Sequence, residues 1–215
     1  MSIQAVIFDL DGVIVSTDEF HYLGWKQIAD EEGIPFDKEI NNRLRGVSRM
    51  ESLEILLEKS PKAYSDSEKV GLATRKNNVY VQLLQSITPA DILPGAMNLL
   101  TALRSRQIKV AIGSSSRNTP LILQRIGLAD YFDAVADGND ITRSKPDPEV
   151  FLLAAKRLGV DPEWCIVVED ARAGVDASLS AGMKCVAVGD AAGDARASIS
   201  SKFLSGITAD QILSL

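Results

Sequence analysis

Two carboxylates, Asp9 and Asp11, stand at the end of the apolar run Ala5-Val6-Ile7-Phe8, and Gly12 follows at once. A β-branched run of this kind reads as a buried strand, and the carboxyl ends of buried strands are where an α/β sheet presents its chemistry. Placing two acids there is costly unless a cation or a hydrogen-bonding ligand offsets their charge. Gly12 lets the chain turn sharply away, because a positive φ carries no Cβ penalty. One Asp of such a pair can attack phosphorus to form an aspartyl phosphate while the other moves the proton that a hydroxyl gains or loses. On this tetrapeptide alone an acidic Mg²⁺ pocket, or a helix cap after a strand, stays open beside catalysis.

Three more segments supply partners at other strand ends. Ile108-Lys109-Val110-Ala111-Ile112-Gly113 reads as a strand running into Ser114-Ser115-Ser116-Arg117-Asn118, before Pro120 opens a helix with Leu121, Ile122, Leu123 and Ile126. Free backbone N–H groups, hydroxyls and a positive helix end suit a phosphate, although serine-rich turns of this type are also ordinary caps. Lys145 lies in Ser144-Lys145-Pro146-Asp147-Pro148, before a helix with Val150, Phe151, Leu153, Ala154 and Leu158. A lysine fixed by following prolines beside an acidic pocket can hold a phosphoryl group and its nucleophile together; otherwise it is a solvated surface charge. Cys165-Ile166-Val167-Val168 is a further apolar strand, and it ends in Glu169 and Asp170, hard oxygen donors of the kind Mg²⁺ prefers.

In that order, Asp9-x-Asp11, Ser114, Lys145 and Glu169-Asp170 resemble the four signatures of the haloacid dehalogenase superfamily of phosphotransferases, over nearly the whole chain. The resemblance implies Asp9 as nucleophile and Asp11 as general acid/base, with Ser114 and Lys145 on the transferring phosphoryl group. It implies Mg²⁺ held by Asp9, by Asp11 through its backbone carbonyl and by Asp170, with Glu169 at or next to the metal.

These residues need a scaffold. The 215 residues, 46% of them hydrophobic, are enough for a full core in one large domain or a domain with an insertion. With 24% charged and 6% aromatic residues the composition is that of an ordinary soluble protein. A net charge of −6 argues against nucleic acid or anionic membrane as partner, so a phosphate must be drawn by a local cluster of cations. The first residues carry no basic, long-apolar or cleavage pattern, no apolar run approaches membrane-spanning length, and Cys165 and Cys185 read as reduced core thiols. A monomer in the cytoplasm is the expectation.

β/α alternation stops after the first strand and resumes near residue 95. Between them, Phe20, Leu23, Gly24, Ile28 and Ala29 recur at helical spacing until Gly33 and Pro35. Ser48-x-x-Glu51 and Ser65-x-x-Glu68 are capping boxes opening helices that carry Met50, Leu53, Leu56 and Leu57, then Val70, Ala73, Asn77, Tyr80 and Leu84. Thr88-Pro89 and Leu93-Pro94-Gly95 mark the return. Helices and strands then alternate until Thr208-x-x-Gln211 caps a short last helix, and residues 191–201 carry no clear pattern. The expected fold is α/β: a Rossmann-like three-layer parallel-sheet core of residues 1–16 and 88–215, with a small α-helical cap domain of residues 17–87 inserted.

Within that cap, His21-x-x-x-Trp25-Lys26, Arg45-Gly46-Val47-Ser48-Arg49-x-x-Ser52-Leu53 and Arg75-Lys76-Asn77-x-x-Tyr80 resemble the β-phosphoglucomutase subfamily. That implies interconversion of β-glucose 1-phosphate and β-glucose 6-phosphate through a bound bisphosphate. It also implies substrate contacts from Trp25, Arg45, Gly46, Val47, Ser48, Arg49 and Lys76, and from Ser115, Ser116, Arg117 and Asn118, with Thr17 and His21 joining the catalytic set. A mutase must hold a second phosphate away from Asp9, and Arg49 offers a bidentate fork for it, supported by Arg45 or Lys76. His21, the single histidine, shares a helix face with Trp25 and Ile28; a satisfied, half-buried histidine and a positioning partner for Asp11 are both open. Ser16, Arg45 and Arg117 depart from the subfamily's usual Asp, Lys and Lys. A phosphatase of small sugar phosphates would share every core residue and is the alternative. A phosphorylated signalling receiver fits worse, since it has no use for a helical insert of about seventy residues or for Asp11.

Overall fold

The structure, a computed structural model, describes residues 2–215. Strand β1 (Ala5–Phe8) is fully buried, as its β-branched sequence requires. Strands β2 (Lys109–Gly113), β3 (Ala134–Ala136), β4 (Cys165–Glu169), β5 (Lys184–Val188) and β6 (Ile199–Ser201) complete an all-parallel sheet in the order β3-β2-β1-β4-β5-β6. β1 pairs Phe8 with Ile112 on one side and with Val168 on the other. The chain therefore reverses its winding between β1 and β4, and a crevice opens there at the strands' carboxyl ends.

Residue parity divides the core into two layers. Val6, Phe8, Val110, Ile112, Ile166 and Val168 face one side, against helices α5 (Ala96–Ser105), α6 (Thr119–Arg125) and α9 (Ala209–Leu213). Ile7, Ala111, Cys165 and Val167 face the other, against α7 (Glu149–Leu158) and α8 (Arg172–Ser180). Alternating side chains on a two-sided buried sheet produce this three-layer arrangement. Cys165 and Cys185 are free and buried, and burial pushes their thiols up to about 11 and about 12.

Between β1 and α5 lie four helices, α1 (Asp18–Glu32), α2 (Lys38–Asn42), α3 (Arg49–Leu57) and α4 (Asp66–Leu84). The Ser48/Glu51 and Ser65/Glu68 capping boxes form as expected, and so does Thr208/Gln211 at α9. Trp25, Ile28, Ala29, Leu53, Leu56, Leu72 and Ala73 make a separate cluster inside this insert, whereas Tyr80 and Leu84 of α4 reach into the sheet's own core. The segments entering and leaving the insert are bonded to each other, with Leu93 N donating to Ile14 O at 2.8 Å.

The directions expected of three side chains need correction. Leu23, Met50 and Val70 face outward, because the buried stripe of α1 runs through Gly24, Trp25 and Ile28, and Met50 and Val70 border the cavity described below. The patternless stretch near residue 200 contains β6, an edge strand too short and polar to announce itself. Among the described residues no helix is long and apolar enough to cross a membrane.

Candidate active site

Asp9 leaves β1 with its N–H bonded to Val168 O at 2.9 Å, so its carboxylate stands in the β1/β4 crevice. Lys145, in the loop before α7, is 2% exposed and donates Nζ to Asp9 Oδ1 and to Glu169 Oε1, both at 2.5 Å. The other carboxylate oxygen of Glu169, at the end of β4, accepts from the N–H groups of Asp170 (2.9 Å) and Ala171 (3.0 Å). Burial works against the Lys145 charge, but Asp9 and Glu169 outweigh it and hold the ammonium above the ordinary lysine value. Two glycines make room for this cluster. A Cβ on Gly174 of α8 would overlap the Glu169 carboxylate, and one on Gly12, whose φ of 82° already favours glycine, would overlap that of Asp170.

Asp9, Glu169 and Asp170 each offer an oxygen within 4.8 Å of the others, and all three are buried. One ammonium cannot balance them. Burial first, then the charges of Glu169, Asp9 and Asp11, push Asp170 well above the ordinary carboxylate value, which marks charge in want of a cation. All-oxygen, carboxylate-rich surroundings fit a hard divalent ion such as Mg²⁺. The Asp11 side chain is not part of this group. Its carboxylate accepts from Thr17 N (2.6 Å) and Thr17 Oγ1 (2.5 Å), which leaves only its backbone carbonyl for a metal. Burial raises Asp11, against the two Thr17 bonds.

From Thr17 a chain of contacts runs into the helical insert. Thr17 Oγ1 meets the Tyr80 hydroxyl at 2.8 Å, and Tyr80 lies against His21 with ring centroids 4.2 Å apart. His21 Nδ1 is 2.8 Å from Lys76 Nζ, and its Nε2 faces Asp11 Oδ2 at 3.7 Å. A protonated Lys76 must donate to Nδ1, which puts the imidazole proton on Nε2, toward Asp11. Burial, then the Lys76 and Arg49 charges, hold His21 well below the ordinary imidazole value. Burial and Arg49, against Asp11, draw Lys76 down to about 7. Lys76 is thus a buried lysine, 2% exposed, whose charge is lost near neutral pH, and its Nζ also lies over the Tyr80 ring at 4.4 Å and the Trp25 ring at 5.2 Å.

The turn after β2 is a tight polar loop. Ser116 N donates to Ser114 Oγ and Asn118 N to Ser116 Oγ, both at 3.2 Å, and Ser115 Oγ is buried without a partner among the described residues. Asn118 does not cap α6. Its Nδ2 crosses instead to Asn77 Oδ1 of α4 at 2.9 Å, joining sheet and insert. Arg117 donates Nε to Gly138 O at 3.2 Å. Neither Arg117 nor Arg49 has an acidic partner among the described residues. Burial, then Arg117, depress Arg49, so two guanidiniums face a shared site with nothing to neutralise them.

A cavity of about 1170 Å³ brings Asp9, Asp11, Ser114, Lys145, Arg49 and Arg117 together. It is also bordered by the other expected residues except Thr17, which sits just beneath it as the partner of Asp11. Arg45 differs from expectation. Its guanidinium is paired with Asp18 of α1 and Asp190, beyond β5, so it joins insert to sheet at the cavity's edge. Gly46 lies beside it against Ala171, Ser48 spends its hydroxyl oxygen on the α3 cap, Val47 contributes wall, and Trp25 is buried in the insert's core. Tyr80, Asn77 and the two partners of Arg45 were not singled out in the sequence as site residues. Tyr80 could have been found, because it follows Lys76 by one helical turn on the same face.

The haloacid dehalogenase-like hydrolase family matches residues 3–182. The β-phosphoglucomutase of Bacillus subtilis strain 168 is 48% identical over 188 residues, 86% of this chain and 83% of its own length. A phosphorylated carbohydrates phosphatase of Thermotoga maritima is 34% identical over 184 residues, 84% of this chain and 82% of its own. Among solved structures, a β-phosphoglucomutase from Clostridium difficile superposes with a TM-score of 0.92 at 42% identity, covering 98% of this chain and 95% of the other.

Proposed function

The chain belongs to the haloacid dehalogenase-like hydrolase family, and on that premise we propose a phosphomutase that interconverts β-glucose 1-phosphate and β-glucose 6-phosphate through an aspartyl phosphate on Asp9 and a bound β-glucose 1,6-bisphosphate. The observation that carries this reading is the pair Arg49 and Arg117, two unneutralised guanidiniums on the wall of the cavity that also holds Asp9. A phosphatase needs one phosphate site. A mutase needs two, and a dianion between these arginines would relieve their repulsion. The 48% identity to a protein named β-phosphoglucomutase supports the same reading over hydrolysis.

Transfer proceeds as an Asp9 oxygen forms a bond to phosphorus while the phosphorus–sugar oxygen bond breaks, and the departing oxygen takes its proton from Asp11. In the next step the free hydroxyl of a β-glucose 1-phosphate gives its proton to Asp11 and attacks the same phosphorus, freeing Asp9 and regenerating the bisphosphate, whose other phosphoryl group is the next to transfer. Lys145 touches Asp9 at 2.5 Å and holds the attacking carboxylate in place. Glu169 fixes Lys145 and the 170–171 backbone from behind. Mg²⁺, held by Asp9, Asp170 and the Asp11 carbonyl, would draw charge from the transferring phosphoryl group.

Asp11 is held by Thr17 and must turn from it to reach a sugar oxygen. Thr17 is bonded to Tyr80, and His21 and Lys76 adjoin the same carboxylate, so movement of the insert over the sheet can release Asp11 when substrate arrives. Residues 17–87 act as the cap in this reading, with residues 1–16 and 88–215 as the core, in a monomer of the cytoplasm acting on a small sugar phosphate. Arg49→Ala is the test. Losing a bidentate, charge-assisted contact of about 3 kcal/mol cuts isomerisation by roughly two orders of magnitude, while hydrolysis of small monophosphates stays nearly unchanged. Isomerisation at the unmodified rate in Arg49→Ala would overturn the assignment.

A further inference from the structure

The arginine at position 117 is held at both ends by one loop, which the reaction as described does not use. Its Nε donates to Gly138 O at 3.2 Å, and its backbone carbonyl accepts from Asn139 Nδ2 at 3.0 Å. Gly138 N also donates to Ser116 O at 3.1 Å, so the loop after β3 lies flush on the loop after β2. There is no room for slack between them: a Cβ on Gly138 would overlap Ser115 O and come within 2.9 Å of Arg117 N.

That loop is itself braced. The Asn139 N–H and Nδ2 both donate to Asp137 Oδ1, at 2.7 and 3.0 Å, closing an Asx turn around the buried Asp137. Asp137 N donates to Asp140 Oδ2 at 3.0 Å, and Asp140 takes a two-pronged ion pair from Arg157 of α7, at 2.7 Å on each arm. Helix α7 packs on the sheet through Val150, Phe151 and Ala154, so the brace ends in the rigid core. Using Nε on Gly138 leaves the two terminal nitrogens of Arg117 as a fork whose direction the loop sets. A lysine here could not be aimed this way, because an ammonium has no Nε and no plane.

We propose that Asn139 is a positioning residue for the second phosphate of the substrate: through the 137–140 loop it aims the Arg117 fork, and so sets how tightly the bisphosphate is held. This rests on the mutase reading above. Asn139 touches no reacting atom and acts only through Arg117.

The test is a double-mutant cycle read as KM for β-glucose 1,6-bisphosphate and kcat for isomerisation. Asn139→Ala removes one hydrogen bond to Arg117 and one to Asp137, and the expected result is a KM raised about three- to tenfold with kcat changed less than about twofold. Arg117→Ala raises KM further. The two then do not add: in the Arg117→Ala background, Asn139→Ala leaves KM where it is, because there is no fork left to aim. An equal rise in both backgrounds would show general loosening of the loop and overturn the proposal, as would an Asn139→Ala enzyme with unchanged KM. Thermal melting of each variant shows whether it is folded. If Asn139→Ala does not fold, Asp140→Asn, which weakens the Arg157 anchor from outside the loop's turn, must give the same KM-specific, Arg117-dependent rise. An unmodified enzyme that isomerises nothing is a different outcome, and it removes the mutase reading itself.

Discussion

Gly174→Ala sets two physical arguments against each other. Gly174 lies in the first turn of α8, and alanine at a helical position gains up to about 1 kcal/mol over glycine, so local propensity alone predicts stabilisation. The site predicts the opposite. The added methyl would overlap the Glu169 carboxylate, which is 1% exposed and has both oxygens in use. Glu169 would have to leave Lys145 (2.5 Å), Asp170 N (2.9 Å) and Ala171 N (3.0 Å), or α8 would have to move away from β4. Freeing one partner of a buried, hydrogen-bonded ion pair costs about 3 to 5 kcal/mol. After the helix gain is subtracted, about 2 to 4 kcal/mol of destabilisation remains. Urea denaturation at neutral pH, followed by far-UV circular dichroism, measures the difference, and Gly174→Ala should also lower Mg²⁺ affinity because Asp170 follows Glu169 directly. A variant as stable as the unmodified protein, or more so, would refute the reasoning that Glu169 is held in place by this close approach.

Two further outcomes follow from the same geometry. Asp9→Asn should abolish transfer while leaving the fold intact, since Lys145 keeps Glu169 as its charged partner; steady-state turnover together with a melting curve checks both halves, and more than a trace of activity excludes Asp9 as the covalent site. Lys76 lies at about 7 against an ordinary 10.5, so between those values the unfolded chain binds a proton that the folded protein has released, and stability contributed by this group rises with pH across that window. His21, Arg49, Asp11 and Tyr80 surround it. The gain from pH 7 to pH 9 should be about 2 kcal/mol at most, and Lys76→Met should flatten it; denaturant midpoints that shift equally in both proteins would contradict this.

The core of the site was legible because each residue sits where a pattern breaks. Asp9, Ser114 and Glu169 each follow an unbroken apolar run, and strands buried on both faces must be apolar throughout, so the first polar residue marks the crevice. Capping boxes were equally clear, because Ser48/Glu51 and Ser65/Glu68 act within four residues. Contacts made across the chain were not. Arg45 stands in sequence as a free cation in a phosphate-binding stretch, yet Asp18 and Asp190 neutralise it, and the latter lies far along the chain. The acid/base role that the resemblance implies for Asp11 says nothing of where its side chain rests, and Thr17, six residues on, holds it to one side. Lys76 was expected as a support for phosphate. Its burial among Trp25, Tyr80 and His21 depends on how α1 packs on α4, which periodicity does not specify. The edge strand β6 escaped because three half-exposed residues carry no alternation worth reading.

What the aspartyl phosphate does next separates a mutase from a phosphatase. The direct measurement is to incubate the unmodified enzyme with Mg²⁺, β-glucose 1-phosphate and a trace of β-glucose 1,6-bisphosphate, and to quantify glucose 6-phosphate and free phosphate over the same interval. A cavity that grips a second phosphate between Arg49 and Arg117 predicts glucose 6-phosphate in large excess, with free phosphate a minor product. Free phosphate from each sugar phosphate offered, with no isomer formed, would contradict it.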